Sequence, residues 1–138
     1  MILKIAKTSL ILTALLPLNL WAKVTVENAV MYETTMANEP SAIYLTLKNS
    51  GDETVNLFLA ESSVKSRLEL HGMQQGKMIS LTDGLAIPPQ QAISLARGGA
   101  HIMVFDLQKP LKKDQQFPLT LYFDDGEKVA LDVRVIAR

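Results

Sequence analysis

Two short segments of the sequence carry the same pair of potential metal ligands. A methionine follows a histidine two positions later at His71 and Met73 and again at His101 and Met103, and the 138 residues contain no other histidine. A further methionine, Met78, lies between the two segments. Imidazole suits copper or zinc, whereas thioether sulfur is a soft, neutral donor with little affinity for calcium or magnesium. These donors, without carboxylate or thiolate, predict a Cu(I) site over a Zn(II) site.

The direction in which these side chains point depends on the strands that carry them. Residues two apart in a β-strand project from the same face, so each His-x-Met triplet presents its two donors together. The hydrophobic residues that alternate with the donors are expected to face the core; they are Leu68, Leu70, Ile79, Leu81, Ile102 and Val104. All five donors are then expected on the opposite, polar face, as a shallow site. Methionine also packs in many environments, and a chance origin of the two triplets remains open.

The rest of the chain alternates hydrophobic and polar residues in short segments broken by turn residues. This period of two is typical of strands that are buried on one face, and no segment carries a helical stripe over three turns. Asp124-Asp125-Gly126-Glu127 lies between two such segments and predicts a hairpin. Seven to nine short strands favour an all-β, single-domain Greek-key β-sandwich or barrel. Met31 and Met36 are expected in a loop near the N-terminus.

The first 22 residues are typical of an export signal. Lys4 and Lys7 precede an uncharged, leucine-rich stretch from Thr8 to Ala22, and charged Lys23 follows. A membrane-spanning helix needs roughly 18 or more apolar residues, and this stretch is interrupted by Pro17. We therefore expect a signal peptide over residues 1–22, a mature domain over residues 23–138 without a membrane anchor, and a periplasmic location.

Composition excludes several classes of function. The sequence contains no cysteine, which argues against disulfides, thiolate catalysis, iron–sulfur clusters, a lipoprotein anchor and a blue-copper electron-transfer site. Basic and acidic residues both number 14, without a basic run, so nucleic acid is not an expected partner. Both histidines have methionine neighbours, so a hydrolase triad has little support. We expect a binding protein and not an enzyme.

The chain resembles the periplasmic copper chaperones known as the PCu(A)C family. The resemblance covers nearly all of residues 23–138 and is most specific at the segments Leu70-His71-Gly72-Met73 and Gly98-Gly99-Ala100-His101-Ile102-Met103. The family pattern begins with a histidine that is followed about ten residues later by a methionine. A His-x-Met triplet follows about twenty-one residues after that methionine. Here only six residues separate His71 from Met78, while 22 separate Met78 from His101. A hairpin shortened by two residues on each arm preserves the facing of both arms, so Met78 is the favoured ligand and Met73 an alternative or helper.

The resemblance implies a cupredoxin-like β-sandwich that binds Cu(I) and delivers it to an acceptor. The implied ligands are His71, Met78, His101 and Met103, and the implied acceptor is the copper centre of cytochrome oxidase or a Sco-type protein. A monomer is expected. The alternative is a β-sandwich adhesion or assembly module that binds no metal, in which the histidines and methionines are incidental.

Overall fold

The computed structural model describes residues 22–138, and this part of the chain is all β. The predicted signal peptide lies outside the described residues, apart from Ala22. Among the residues described there is no helix that could cross a membrane. The ten strands are β1 (Val24–Tyr32), β2 (Ser41–Asn49), β3 (Val55–Glu61), β4 (Arg67–Gln74), β5 (Lys77–Ser80), β6 (Leu85–Ile87), β7 (Gln91–Leu95), β8 (His101–Phe105), β9 (Gln116–Phe123) and β10 (Lys128–Ile136).

The strands form one continuous hydrogen-bonded path. Their order is β5-β4-β8-β2-β1-β10-β9-β3-β6, and β7 pairs with the second half of β2. All of the pairs are antiparallel except β1 with β10, which run parallel. Strands β3 and β4, each next to an end strand of the path, also contact each other although they share no ladder. The sheet therefore curls around one hydrophobic core.

The core is formed by one face of the alternating strands. In β2 the buried positions are every second residue, including Ile43, Leu45 and Leu47, and β9 repeats the pattern with Phe117, Leu119 and Leu121. Ile102 and Val104 of β8 are fully buried in the same core. This alternation is what the period-two pattern predicted, and the all-β prediction is confirmed.

Of two expectations about individual elements, the structure confirms one and contradicts the other. The hairpin predicted at Asp124-Asp125-Gly126-Glu127 is present, since β9 and β10 pair antiparallel on either side of it. The expectation that Met31 lies in a loop is wrong. Met31 belongs to β1 and is fully buried in the core, whereas Met36 is exposed in the loop that follows. Methionine packs in a core as well as other apolar residues do, so residue type alone does not show whether Met31 lies in a loop or in the core.

Candidate metal centre

The β4–β5 hairpin sets the positions of three of the five predicted ligands. Gln75 and Gly76 form a two-residue turn with φ of 53° and 79°, and positive φ at both positions is the signature of a type I′ turn. In the resulting register Met73 lies directly opposite Met78. Residues opposite each other and residues two apart share a face. His71, Met73 and Met78 therefore project from the same side of the hairpin.

Strand β8 brings the other two predicted ligands to the same face. His71 of β4 lies directly opposite His101 of β8, and the imidazole centroids are 5.7 Å apart. Met103 follows two residues along β8 and lies opposite Glu69. The two histidines thus form the centre of the face, with the hairpin methionines on one side and Met103 on the other.

The histidines are buried, which corrects the expectation of a solvated polar face. Their exposed fractions are 7% for His71 and 6% for His101. Both rings project away from the leucine and isoleucine core, as parity predicted, and aromatic rings lie beside them. The Phe105 ring lies 6.0 Å from His71, and the Tyr44 ring lies 6.4 Å from His101, measured between centroids. Parity alone gives the face of a side chain and says nothing about what lies over it.

The methionines of the hairpin are much more exposed than the histidines. Met73 is 39% exposed and Met78 is 53% exposed, because both lie near the turn, beyond the start of β8. Met103 is half-buried. The cluster therefore grades from buried imidazoles to accessible thioethers at the hairpin tip.

The two ring nitrogens of His71 have different partners. Nε2 lies 2.9 Å from Oε1 of Glu69, and Nδ1 lies 3.1 Å from Sδ of Met78. A carboxylate accepts a hydrogen bond far better than a thioether does, so the contact with Glu69 favours the neutral tautomer that carries its proton on Nε2. The lone pair of Nδ1 then faces the sulfur of Met78. Two metal donors are adjacent here with no proton between them.

The ring of His101 is oriented by the backbone. Its Nδ1 lies 2.9 Å from the carbonyl oxygen of Gly99, which accepts the N–H of that nitrogen. The lone pair is consequently on Nε2. Such hydrogen bonds on the remote nitrogen are what orient histidines at metal sites.

Charged side chains flank the cluster at the end away from the hairpin. Arg67 pairs with both Glu69 and Asp106, and its guanidinium lies 4.4 Å from the centroid of the Phe105 ring. Burial lowers the pKa of His71 below its ordinary value, and the positive charge of Arg67 lowers it further. The imidazole therefore stays neutral, the form that binds metal, to a lower pH than an exposed histidine would.

Glu69 is a site residue that the sequence analysis missed. It lies two residues before His71 on the same strand, so period two already placed it on the face of the ligands. Its position could be predicted, but a carboxylate is a poor ligand for Cu(I), so Glu69 was not among the expected site residues. In residues 22–138 no group of three or more His, Cys, Asp or Glu side chains could hold a metal ion. A site at this cluster therefore depends on the methionines.

Fold and site together define a cupredoxin-like β-sandwich that carries an imidazole–thioether cluster on its outer face. A family model described as "Putative lipoprotein LpqE-like" matches residues 24–135. The chain belongs to this family, and the predicted membership of the PCu(A)C copper-chaperone family is confirmed.

Solved structures share the fold over most of their length. A "Copper-bound PCuAC domain from PmoF2" superimposes with a TM-score of 0.73 and 21% identity, covering 85% of this chain and 95% of that domain. The "Solution structure of CuI-DR1885 from Deinococcus Radiodurans" gives a TM-score of 0.64 and 24% identity, covering 83% of this chain and 81% of that one. These similarities confirm the predicted cupredoxin-like fold.

Two curated proteins are similar in sequence. "Putative lipoprotein Lxx21020" of Leifsonia xyli subsp. xyli is 35% identical in an alignment of 104 positions, which covers 69% of this chain and 60% of that protein. "Uncharacterized protein RP573" of Rickettsia prowazekii is 28% identical in an alignment of 99 positions, which covers 69% of this chain and 55% of that protein. The chain thus spans a little more than half the length of these relatives.

Proposed function

We propose that this protein is a periplasmic metallochaperone that binds one Cu(I) ion and hands it to an acceptor protein. The proposed ligands are Nδ1 of His71, Sδ of Met78, Nε2 of His101 and Sδ of Met103. The observation that carries the proposal is the contact between His71 Nδ1 and Met78 Sδ, 3.1 Å apart, beside the ring of His101. Copper is the cargo of this protein and not a resident catalytic group, so the proposal is of a carrier and not of an enzyme.

The chemistry of the donors fits Cu(I). In the tautomer with the proton on Nε2, Nδ1 of His71 makes no hydrogen bond to the sulfur of Met78, and both atoms would be free to hold a soft cation. Thioether sulfur selects a soft ion, and two neutral imidazoles complete a ligand set without charge. The structurally similar proteins include a copper-bound PCuAC domain and a Cu(I)-bound protein, which supports copper as the ion here.

The gradient of exposure supports transfer in addition to binding. Met78 is 53% exposed while the histidines are less than a tenth exposed. The ligands of an acceptor can therefore replace the thioether of Met78 first, while the buried imidazoles still hold the ion. Met73, opposite Met78 at the open tip, is an alternative thioether during this exchange.

The acceptor and the compartment are proposed on the basis of the family resemblance and the N-terminal sequence. We propose the copper centre of a respiratory oxidase, or a Sco-type protein, as the acceptor, and a monomer as the working form. Location in the periplasm is supported by the signal-like character of residues 1–22.

A Cu(I) titration against a chromogenic chelator tests the proposal. We expect one tight equivalent for the wild-type protein and loss of competition in the double variant His101→Ala/Met103→Ala. Met36→Leu is a matched control, because Met36 is exposed and belongs to a loop outside the cluster. A folded wild-type protein that does not compete for Cu(I) would contradict the proposal and favour the alternative, a β-sandwich interaction module that binds no metal.

A further inference from the structure

The carboxylate of Glu69 contacts the imidazole ring of His71, a proposed copper ligand. We propose that Glu69 is a positioning residue that keeps the proton of His71 on Nε2 and so presents Nδ1 to the metal. The inference rests on the proposed function for its consequence in copper binding. The tautomer itself is a property of the metal-free protein.

The first support is the geometry of the carboxylate. Oε1 of Glu69 lies 2.9 Å from Nε2 of His71 on the same face of β4. If the proton were on Nδ1 instead, the lone pair of Nε2 would face the carboxylate, and the N–H would face only a thioether. A charge-assisted hydrogen bond is roughly twice as strong as a neutral one, so the carboxylate selects one tautomer.

The second support is that Glu69 is itself held from the other side. Its Oε2 pairs with Arg67, and Nε of Arg67 lies 3.2 Å from Oδ2 of Asp106. The guanidinium also stacks over the ring of Phe105. Fixing a glutamate otherwise costs side-chain entropy, and these contacts restrict the carboxylate before any metal arrives.

The third support is the contrast with His101. There the remote nitrogen donates to the backbone carbonyl of Gly99, so no side chain sets the tautomer. The two imidazoles consequently present different nitrogens, Nδ1 of His71 and Nε2 of His101. Only the choice at His71 depends on a side chain, so substitution of Glu69 should change one ring and leave the other unaffected.

For copper binding, Glu69 would place a carboxylate next to a ligand set that is itself uncharged. Its negative charge offsets the single positive charge of Cu(I) and raises the donor strength of the imidazole. Substitution of such outer partners typically lowers metal affinity by about 10- to 100-fold. We expect that range for Glu69→Ala.

Long-range nitrogen–proton NMR of the imidazoles in the metal-free protein tests the inference. In the wild type we expect His71 as the Nε2–H tautomer and His101 as the Nδ1–H tautomer. In Glu69→Ala, His71 should become a mixture while His101 stays unchanged, and Glu69→Gln should restore the tautomer, because the amide oxygen still accepts. Asp132→Asn is the matched control, since it removes one exposed carboxylate on β10, which pairs with neither β4 nor β8.

The outcomes separate this inference from the proposed function. An unchanged His71 tautomer in Glu69→Ala, together with unchanged Cu(I) affinity, would overturn the positioning role while leaving copper binding intact. A wild-type protein that fails to bind Cu(I) would overturn the proposed function whatever the tautomer is. If Glu69→Ala does not fold, Glu69→Leu gives the same readout, because it keeps much of the bulk of the side chain and offers neither a hydrogen-bond acceptor nor a metal donor.

Discussion

At the scale of single residues, the candidate site divides its donors between two environments. The imidazoles are buried beside the rings of Tyr44 and Phe105, and the thioether of Met78 lies at the surface. The buried nitrogens are oriented by hydrogen bonds to their remote atoms, whereas the methionine is flexible and accessible. Such a division suits an ion that must be held selectively and then released.

The two hairpin methionines are expected to differ in their effect on copper binding. Only Met78 places its sulfur against Nδ1 of His71, although Met73 lies opposite it and is less exposed. Met78→Leu should therefore weaken Cu(I) binding by at least an order of magnitude, and Met73→Leu by much less. Chelator competition measures both, with Met36→Leu as the control for loss of any exposed thioether. Equal losses in the two variants would show that the sulfurs share the role.

At the scale of elements, the β4–β5 turn decides which residues meet. Because side chains alternate between faces, a slip of one residue in this hairpin would move Met78 to the face opposite His71. The two-residue turn at Gln75 and Gly76 fixes the pairing of Met73 with Met78. The hairpin is short, yet it determines the composition of the site.

Two glycines with positive φ allow the contribution of backbone strain to be separated from that of close contact. Gly76 has φ of 79° with open space around it, whereas a Cβ on Gly84, at φ of 89°, would lie 2.6 Å from the carbonyl oxygen of Leu57. Gly76→Ala should lower the free energy of unfolding by about 1–2 kcal/mol, the cost of left-handed backbone for a side chain.

Gly84→Ala should cost clearly more than Gly76→Ala, because a backbone oxygen of β3 must also move. Urea denaturation of both variants measures the difference, and Gly76→Asn serves as a further control, since asparagine tolerates positive φ. Equal destabilisation by the two alanine substitutions would contradict the close contact at Gly84.

Much of the fold at this scale could be predicted from the sequence. Alternation in β2, β8 and β9 indicated both the strands and their buried faces, and Asp124-Asp125-Gly126-Glu127 indicated a hairpin. The parallel pairing of β1 with β10 could not be predicted, because it joins segments from opposite ends of the domain and leaves no local signal. The burial of His71 and His101 likewise depends on rings contributed by β2 and β8, which only the assembled sheet brings over them.

At the scale of the whole molecule, the sheet closes on itself and its loops are tied to distant parts of the chain. Glu39, in the loop after β1, accepts hydrogen bonds from the backbone N–H of Thr35 at 2.7 Å and from Arg138 at 2.6 Å. These interactions lower the pKa of Glu39 from 4.5 to about 2, with the backbone bond the larger cause. The ionised carboxylate therefore links this loop to the segment that follows β10.

The stabilisation from Glu39 should depend on pH in a defined direction. Because the pKa is lower in the folded state, the contribution is complete above pH 4.5 and is lost as the pH falls towards 2. Glu39→Gln should be less stable than the wild type at neutral pH, and the difference should shrink through this range. Urea midpoints measured across it test the prediction. A difference that stays constant at every pH would contradict the role of the carboxylate charge.

The most direct test of the proposed function is X-ray absorption spectroscopy at the copper edge of the Cu(I)-loaded protein. We expect an edge typical of Cu(I) and a coordination shell of two imidazole nitrogens and two thioether sulfurs, with one sulfur lost in Met78→Leu. A shell of nitrogen and oxygen alone, without sulfur scattering, would contradict a site built from His71, Met78, His101 and Met103.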